Sequence, residues 1–349
     1  MTEYFNSIPY LDDILHQPDA LADTLASFSR SRFDVIRRYA DQLHSGKLRG
    51  LVLTGMGSSY HALHPLMLGL LNEGLQAQMI ETSELIHHAP ALLREDSLVV
   101  AVSQSGTSAE ILQLVDRIPP KCALIGITNT KNSPLADRAD SALVTCAGDE
   151  STVSCKTYIT ALAALALLEF LLIGKDPSTR IAELQSLPKA VGDYLAGLNS
   201  FIEYLEQALN GITYLILAGR GPSLAAVGTG GLIIKEAAHF PAEGMSSAAF
   251  RHGPLEMASA ETFVVVYEGI SPTQMLNRNL VADIRRMGGS GALVEISPEQ
   301  HVFHLPRNES NGLPILEILP AQMLSLALAH LGNHVPGVFT HGSKVTSVE

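Results

Sequence analysis

Cysteine is scarce in this sequence, charge is thin, and the longest apolar run falls short of a membrane span. The three cysteines, Cys122, Cys146 and Cys155, sit at spacings that match no metal-ligand pattern, so reduced thiols in a cytoplasmic protein are expected. Charged residues make up only 17% of the 349 while hydrophobic ones reach 46%, a balance that suits buried parallel strands better than a solvated helical array. Basic residues are outnumbered, and the formal net charge of −12 argues against nucleic acid as the main partner. An anionic substrate would need a pocket made locally positive by backbone and a few side chains. The first 21 residues include acidic side chains and no apolar core of signal-peptide length, which argues against export. The run 159–173 is interrupted by Thr160 and Glu169 and reads as a buried core helix, so no membrane partner is expected.

What the chain does have is a strand and helix rhythm. Residues 98–102 form an apolar, β-branched run that reads as a buried parallel strand. It stops at Ser103-Gln104-Ser105-Gly106-Thr107-Ser108, and an amphipathic pattern fills 109–118. Four hydroxyls and an amide thus gather at a helix N-terminus, whose free N–H groups and dipole suit a phosphate monoester. Serine and threonine also cap helices for stability alone. No lysine lies in the turn, so it is not a nucleotide P-loop.

A helical pattern over about 19–45 precedes a strand at 51–54 that ends in Gly55-Met56-Gly57-Ser58-Ser59-Tyr60. No third glycine arrives at Tyr60, which disfavours a dinucleotide fingerprint. Further strands are predicted at 77–80, 123–128 and 142–145, with helices between them. This is the pattern of a doubly wound parallel sheet, in which ligands bind outside the carboxyl ends of the strands. The two polar turns should therefore face one crevice.

After a charged break at 174–178 and a helical stretch to about 209, the rhythm restarts. A strand at 214–218 leads into Gly219-Arg220-Gly221-Pro222-Ser223 and a helix over 224–240, and later strands are predicted at 263–267, 292–296 and 315–319. Both halves thus carry a strand ending in G-x-G before a helix, a weak internal repeat. On the second helix Glu236, His239 and Phe240 would share a face, where partial desolvation would raise the carboxyl pKa toward the range of a general base. An exposed glutamate is the equal alternative. His252, fixed before Gly253-Pro254, is either a proton carrier or a loop residue. The pairs His61 with His64, His87 with His88, and His301 with His304 lack convergent carboxylate or cysteine partners, so no metal is expected.

These motifs carry a resemblance. The chain is similar, nearly end to end, to the tandem sugar isomerase (SIS) domain family, in particular the isomerase portion of the glucosamine-fructose-6-phosphate aminotransferases. The matching residues run in order: Gln17-Pro18-x-Ala20, Gly55-x-Gly57-Ser58-Ser59-Tyr60, Ser83-Glu84, Ser103-Gln104-Ser105-Gly106, the segment 148–156 (GDESTVSCK), Gly219-Arg220-Gly221, Lys235-Glu236, His252-Gly253-Pro254-Leu255 and Lys344-Val345-Thr346. The resemblance implies an α/β chain of two doubly wound, flavodoxin-like parallel-sheet SIS domains. An N-terminal helical arm is expected over 1–30, a phosphate-binding domain over 31–190, and a second domain over 191–349 whose tail reaches the active site. It further implies that Ser103, Gln104, Ser105 and Ser108 hold a sugar phosphate, with Gly57, Ser58, Ser59, Thr152, Ser154 and Ser343 completing the substrate contacts. Glu236 would shuttle a proton between C1 and C2 of an open-chain sugar, and Lys344 would form a Schiff base with the keto sugar. His252 would come from the partner subunit of a homodimer and assist ring opening. No cofactor is implied.

The departures narrow the expectation. The complete synthases begin with a glutaminase domain that this chain lacks, so no use of glutamine is expected. Where they carry a lysine three residues before the catalytic glutamate, this sequence has Ile233, which counts against amination of fructose 6-phosphate. Ser343 and Val345 stand where the synthase pattern has alanine and serine. A deglycase or deaminase of 6-phosphorylated amino sugars or ketosamines is expected. A plain aldose-ketose isomerase and a non-enzymatic sugar-phosphate sensor are the alternatives.

Overall fold

The structure, a computed structural model, describes residues 8–29, 31, 33–307 and 312–347. It holds two five-stranded sheets in two compact units. The first unit takes in Asp19–Asp149, Lys156–Gln185 and the chain from Gly342 on; the second takes in the chain up to Pro18, Glu150–Cys155 and Ser186–His341. The division is therefore not sequential: three short segments belong to the unit that their neighbours in sequence do not.

In the first unit β1 (Gly50–Gly55), β2 (Ala77–Glu81), β3 (Ser97–Val102), β4 (Ala123–Thr128) and β5 (Ser141–Val144) pair in the order β2-β1-β3-β4-β5, all parallel. Every residue of β3 and β4 is buried. Both faces of such strands must be covered, which is why they read as unbroken apolar runs rather than alternating ones. The amphipathic helix Ala109–Arg117 packs Ile111 and Leu114 into the core beside Val99 and Leu124. The helix Lys156–Leu172 is almost wholly buried, in keeping with its uniform apolarity. Each fully buried Leu or Ile in these layers contributes about 1.5–3 kcal/mol relative to an exposed one.

The second unit repeats the plan. Strands β6 (Tyr214–Gly219), β7 (Ala242–Ser246), β8 (Thr262–Tyr267), β9 (Ser290–Ile296) and β10 (His304–Leu305) pair as β10-β9-β8-β6-β7, again all parallel. Counted from each unit's first strand, both orders are 2-1-3-4-5, the flavodoxin-like winding with its switch point between the first and third strands. The internal repeat expected from the G-x-G turns is thus a repeat of topology. The helix Leu224–Ala238 lies close on β7 because two glycines remove the side chains between them. A Cβ on Gly244 would stand 2.1 Å from the Val227 carbonyl oxygen, and one on Gly231 would stand 2.6 Å from the Gly244 nitrogen.

Several expectations are corrected. The pattern over 19–45 is two helices, Gln17–Phe28 and Asp34–His44. The stretch expected as one helical run to about 209 is three helices, Pro177–Leu184, Leu187–Leu195 and Leu198–Ala208, each with Pro or Gly at its start. The strand expected at 315–319 is helical: Leu313–Leu316 and Leu319–Leu331 each carry a proline in the first turn, where its missing N–H is harmless. Together these residues are long and apolar enough to span a membrane by composition, yet 83% of that apolar window is buried inside the protein. The strand β7 was not anticipated, because Ala-Glu-Gly-Met-Ser has neither β-branching nor alternation.

Candidate active site

The first unit's chemistry gathers at its switch point. Gly55 of β1 pairs with Val102 of β3, so the polar turns that follow the two strands begin at one level on one edge of the sheet. In the first turn Gly57 has φ +52 and opens the short helix Gly57–His61, with Ser58 and Ser59 half-buried.

The second turn is shaped by its own hydroxyls. The Gly106 N–H donates to Ser103 Oγ at 3.1 Å and the Thr107 N–H donates to Ser105 Oγ at 3.2 Å. A serine oxygen that accepts from an amide still has its hydrogen to give, and is polarised to give it to an anion. The Gln104 carbonyl is held by Thr128 Oγ1 at 3.1 Å and by the Asn129 N–H at 3.0 Å, which leaves its amide side chain uncommitted to the turn. Gly106 has φ +65, and a Cβ there would meet Ser133 Oγ at 2.2 Å, so no other residue fits. Ser108 stands at the N-cap of Ala109–Arg117 in extended conformation, yet its side chain makes no capping bond. The ordinary reason for serine at that position, capping, is therefore absent.

The tail reaches this corner of the same unit. The Ala109 N–H, one of the unpaired donors of the helix start, donates to the Thr346 carbonyl at 3.0 Å. Ser343 Oγ donates to the Val345 carbonyl at 2.8 Å, and Lys344 between them is half-buried. The first unit thus brings together Gly57, Ser58, Ser59, Ser103, Gln104, Ser105, Ser108, Ser343 and Lys344 on elements around its switch point.

Glu236, Thr152, Ser154 and His252 belong to the second unit. Glu236 is half-buried in the last turn of Leu224–Ala238. The helix ends two residues after it: His239 is the C-cap, at φ +51, and its N–H donates to the Lys235 carbonyl. The expected shared face of Glu236, His239 and Phe240 is therefore corrected, because the left-handed residue turns the chain away. The segment that follows the last helix returns here, with the Gly337 N–H donating to the Ala237 carbonyl at 3.2 Å. His252 is exposed at the C-cap of the helix Ser247–Arg251, followed by Gly253 at φ +144.

An acidic cluster that the sequence did not announce lies beside Tyr10, within electrostatic reach of which Glu236 also stands. Tyr10 is fully buried, with its hydroxyl 3.1 Å from Ser325 Oγ. Burial first, and then the neighbouring acidic groups Cys155, Glu236 and Glu150, push its phenol well above the ordinary value. Thr152 Oγ1 donates to Asp13 Oδ2 at 3.4 Å, and Glu150 Oε1 accepts the Cys155 N–H at 3.0 Å and its thiol at 3.5 Å. The ligand atoms of Asp13, Glu150 and Cys155 lie within 4.8 Å of one another, the one group of three donors to a cation among the described residues. None of the expected histidine pairs joins it. Asp13 and Tyr10 stand alone in sequence, with no motif around them; Glu150 and Cys155 fall within the segment 148–156.

Comparison with known proteins bears on the family and the fold. Residues 47–172 match the family described as SIS domain. The chain is 31% identical over 356 residues to glutamine–fructose-6-phosphate aminotransferase (isomerizing) of Pyrococcus horikoshii, covering 97% of this chain and 57% of that protein. It spans about half the length of the curated relatives it matches. Its fold is similar to the C-terminal domain of glucosamine-fructose-6-phosphate aminotransferase from Francisella tularensis, with a TM-score of 0.78 at 20% identity and 99% of each chain covered. It is also similar to tagatose-6-phosphate ketose/aldose isomerase from Escherichia coli, with a TM-score of 0.77 at 21% identity, covering 97% of this chain and 98% of that one.

Proposed function

This chain is a tandem SIS-domain protein resembling the isomerase half of glucosamine-fructose-6-phosphate aminotransferase, and on that premise we propose that it is a phosphosugar isomerase with deglycase or deaminase activity. Its substrate in this reading is a 6-phosphorylated amino sugar or ketosamine. The observation that carries the proposal is the Ser103 to Ser108 turn: two serines that accept backbone N–H bonds keep their hydrogens for an anion, and an N-cap serine does no capping. Hydrogen bonds to a charged phosphate contribute about 1.5–3 kcal/mol each, enough for a few such donors to anchor a sugar.

The chemistry follows from the groups the reading assigns. Glu236 takes the proton from the carbon next to the open-chain carbonyl and returns it at the carbonyl carbon, which on a plain sugar interconverts the aldose and ketose forms through an enediol. On an amino sugar or ketosamine the same shift turns the carbonyl into a hydroxyl-bearing carbon and the substrate's C–N single bond into an imine. The Lys344 amine then adds to that imine carbon and expels the free amine, and water hydrolyses the resulting lysyl imine to release the sugar carbonyl and regenerate Lys344. Thr152 and Ser154 contact the sugar, and His252, contributed by a second copy of the chain, assists ring opening. Ile233 is fully buried in the core face of its helix and brings no amine to the reaction, which supports the direction of C–N cleavage.

The discriminating experiment incubates the protein with fructose 6-phosphate, glucosamine 6-phosphate and a fructosyl-amine 6-phosphate, and assays free amine and sugar products. Amine release from either nitrogenous substrate is expected. Aldose-ketose conversion with no amine released would favour the plain isomerase, and no turnover of any substrate would overturn the proposal.

A further inference from the structure

The second unit contains a recess of about 610 Å³ lined by β9 and the helix Gln274–Arg286. That volume falls within the range of small-molecule sites. Its wall carries two arginines in different electrostatic states. Arg278 is spent on carboxylates: its Nε donates to Glu268 and its Nη2 to Glu295, at 2.5 and 2.8 Å. Arg285 is not. Its Nε and Nη2 both donate to the Gly291 carbonyl, at 3.0 and 2.8 Å, and no carboxylate pairs with it among the described residues. The carbonyl fixes the guanidinium over β9 without neutralising it. In a chain of net charge −12, a cation held in place and left uncompensated beside a recess is set up for an anion.

The lining also carries aromatic rings. Tyr204 meets the His301 ring edge to face, with centroids 4.6 Å apart, and His301 lies 5.7 Å from the Phe303 ring. The imidazole Nδ1 of His301 accepts the Phe303 N–H at 3.2 Å, so its hydrogen is on Nε2. Burial, followed by its neighbour His304, lowers the His301 pKa and keeps that neutral form. His304 Nδ1 is buried with no hydrogen-bond partner, 4.0 Å from Glu299. An unsatisfied buried ring nitrogen costs free energy unless a ligand or water meets it.

The geometry points to a second ligand site in this recess, for a small organic anion that bears a flat aromatic ring: the anionic group on Arg285, the ring against Tyr204, His301 and Phe303. The inference does not rest on the sugar-phosphate reading, since none of these residues belongs to the site assigned there.

The test titrates the full chain with phenyl phosphate, inorganic phosphate and phenol by isothermal calorimetry, in a Ser103→Ala/Ser105→Ala background that weakens the phosphate turn. Phenyl phosphate is expected to bind saturably, with both fragments binding far more weakly. Arg285→Gln should weaken phenyl phosphate about tenfold, the loss of one charge-assisted contact. Ala282→Trp, which fills the recess and retains Arg285, should abolish binding; Ala282 is exposed, so the fold tolerates the change. No saturable binding, or an affinity unmoved by both Arg285→Gln and Ala282→Trp, would overturn the inference.

Discussion

Replacing Glu317 by glutamine should flatten the pH dependence of stability. Glu317 lies 1% exposed in the turn between Leu313–Leu316 and Leu319–Leu331, with Oε1 accepting the Ser223 hydroxyl at 2.7 Å and Oε2 buried without a partner. Burial raises its pKa from the ordinary 4.5 to about 8, opposed only by the Ser223 bond. Below pH 4.5 the carboxyl is neutral in the folded and unfolded chains alike. Between pH 4.5 and 8 the unfolded chain releases the proton and the folded one keeps it, so stability falls as pH rises; above 8 both are ionised and the decline stops. At 1.36 kcal/mol for each pH unit of that window, the loss reaches at most about 5 kcal/mol. Glutamine keeps the shape and the bond from Ser223 but carries no proton to lose. The assay is urea unfolding followed by far-ultraviolet circular dichroism, since the chain has no tryptophan. Wild type and variant should be alike near pH 5, and the variant should be more stable by several kcal/mol at pH 8.5. Parallel pH profiles for the two would refute the reasoning.

Other changes probe the switch point and the packing. Ser103→Ala with Ser105→Ala should weaken phosphosugar binding by about 1–3 kcal/mol while the fold persists, measured by calorimetry. Gly244→Val should destabilise the second unit by more than about 3 kcal/mol, because its Cβ would stand 2.1 Å from the Val227 carbonyl oxygen; loss of the midpoint in urea checks it. Borohydride added during turnover should trap a covalent adduct on wild type and not on Lys344→Met.

Legibility in sequence followed the range of the forces. The buried strands β3, β4 and β8 could be read to within a residue, because parallel strands covered on both faces must be continuously apolar. The Ser103 to Ser108 turn was visible for a similar reason: its chemistry is contained in six consecutive residues. The strand β7 was not visible, since it is held by pairing with β6 and by the close approach of Gly231 and Gly244, both non-local. Residues 315–319 misled because a short apolar run has no period that separates strand from helix. Tyr10 stands within electrostatic reach of Glu236 and Glu150, and Asp13 meets Glu150 and Cys155, across more than 80 residues of sequence, so no local pattern could find them.

The central claim, that Glu236 carries a proton on a phosphosugar, is tested most directly by proton NMR in D₂O with fructose 6-phosphate, glucosamine 6-phosphate and a fructosyl-amine 6-phosphate. The account predicts loss of the C1 or C2 proton signal of at least one sugar with wild type, and none with Glu236→Gln, whose line broadening still reports binding. Exchange that continues at the wild-type rate in Glu236→Gln, or no exchange in any sugar with wild type, would contradict it.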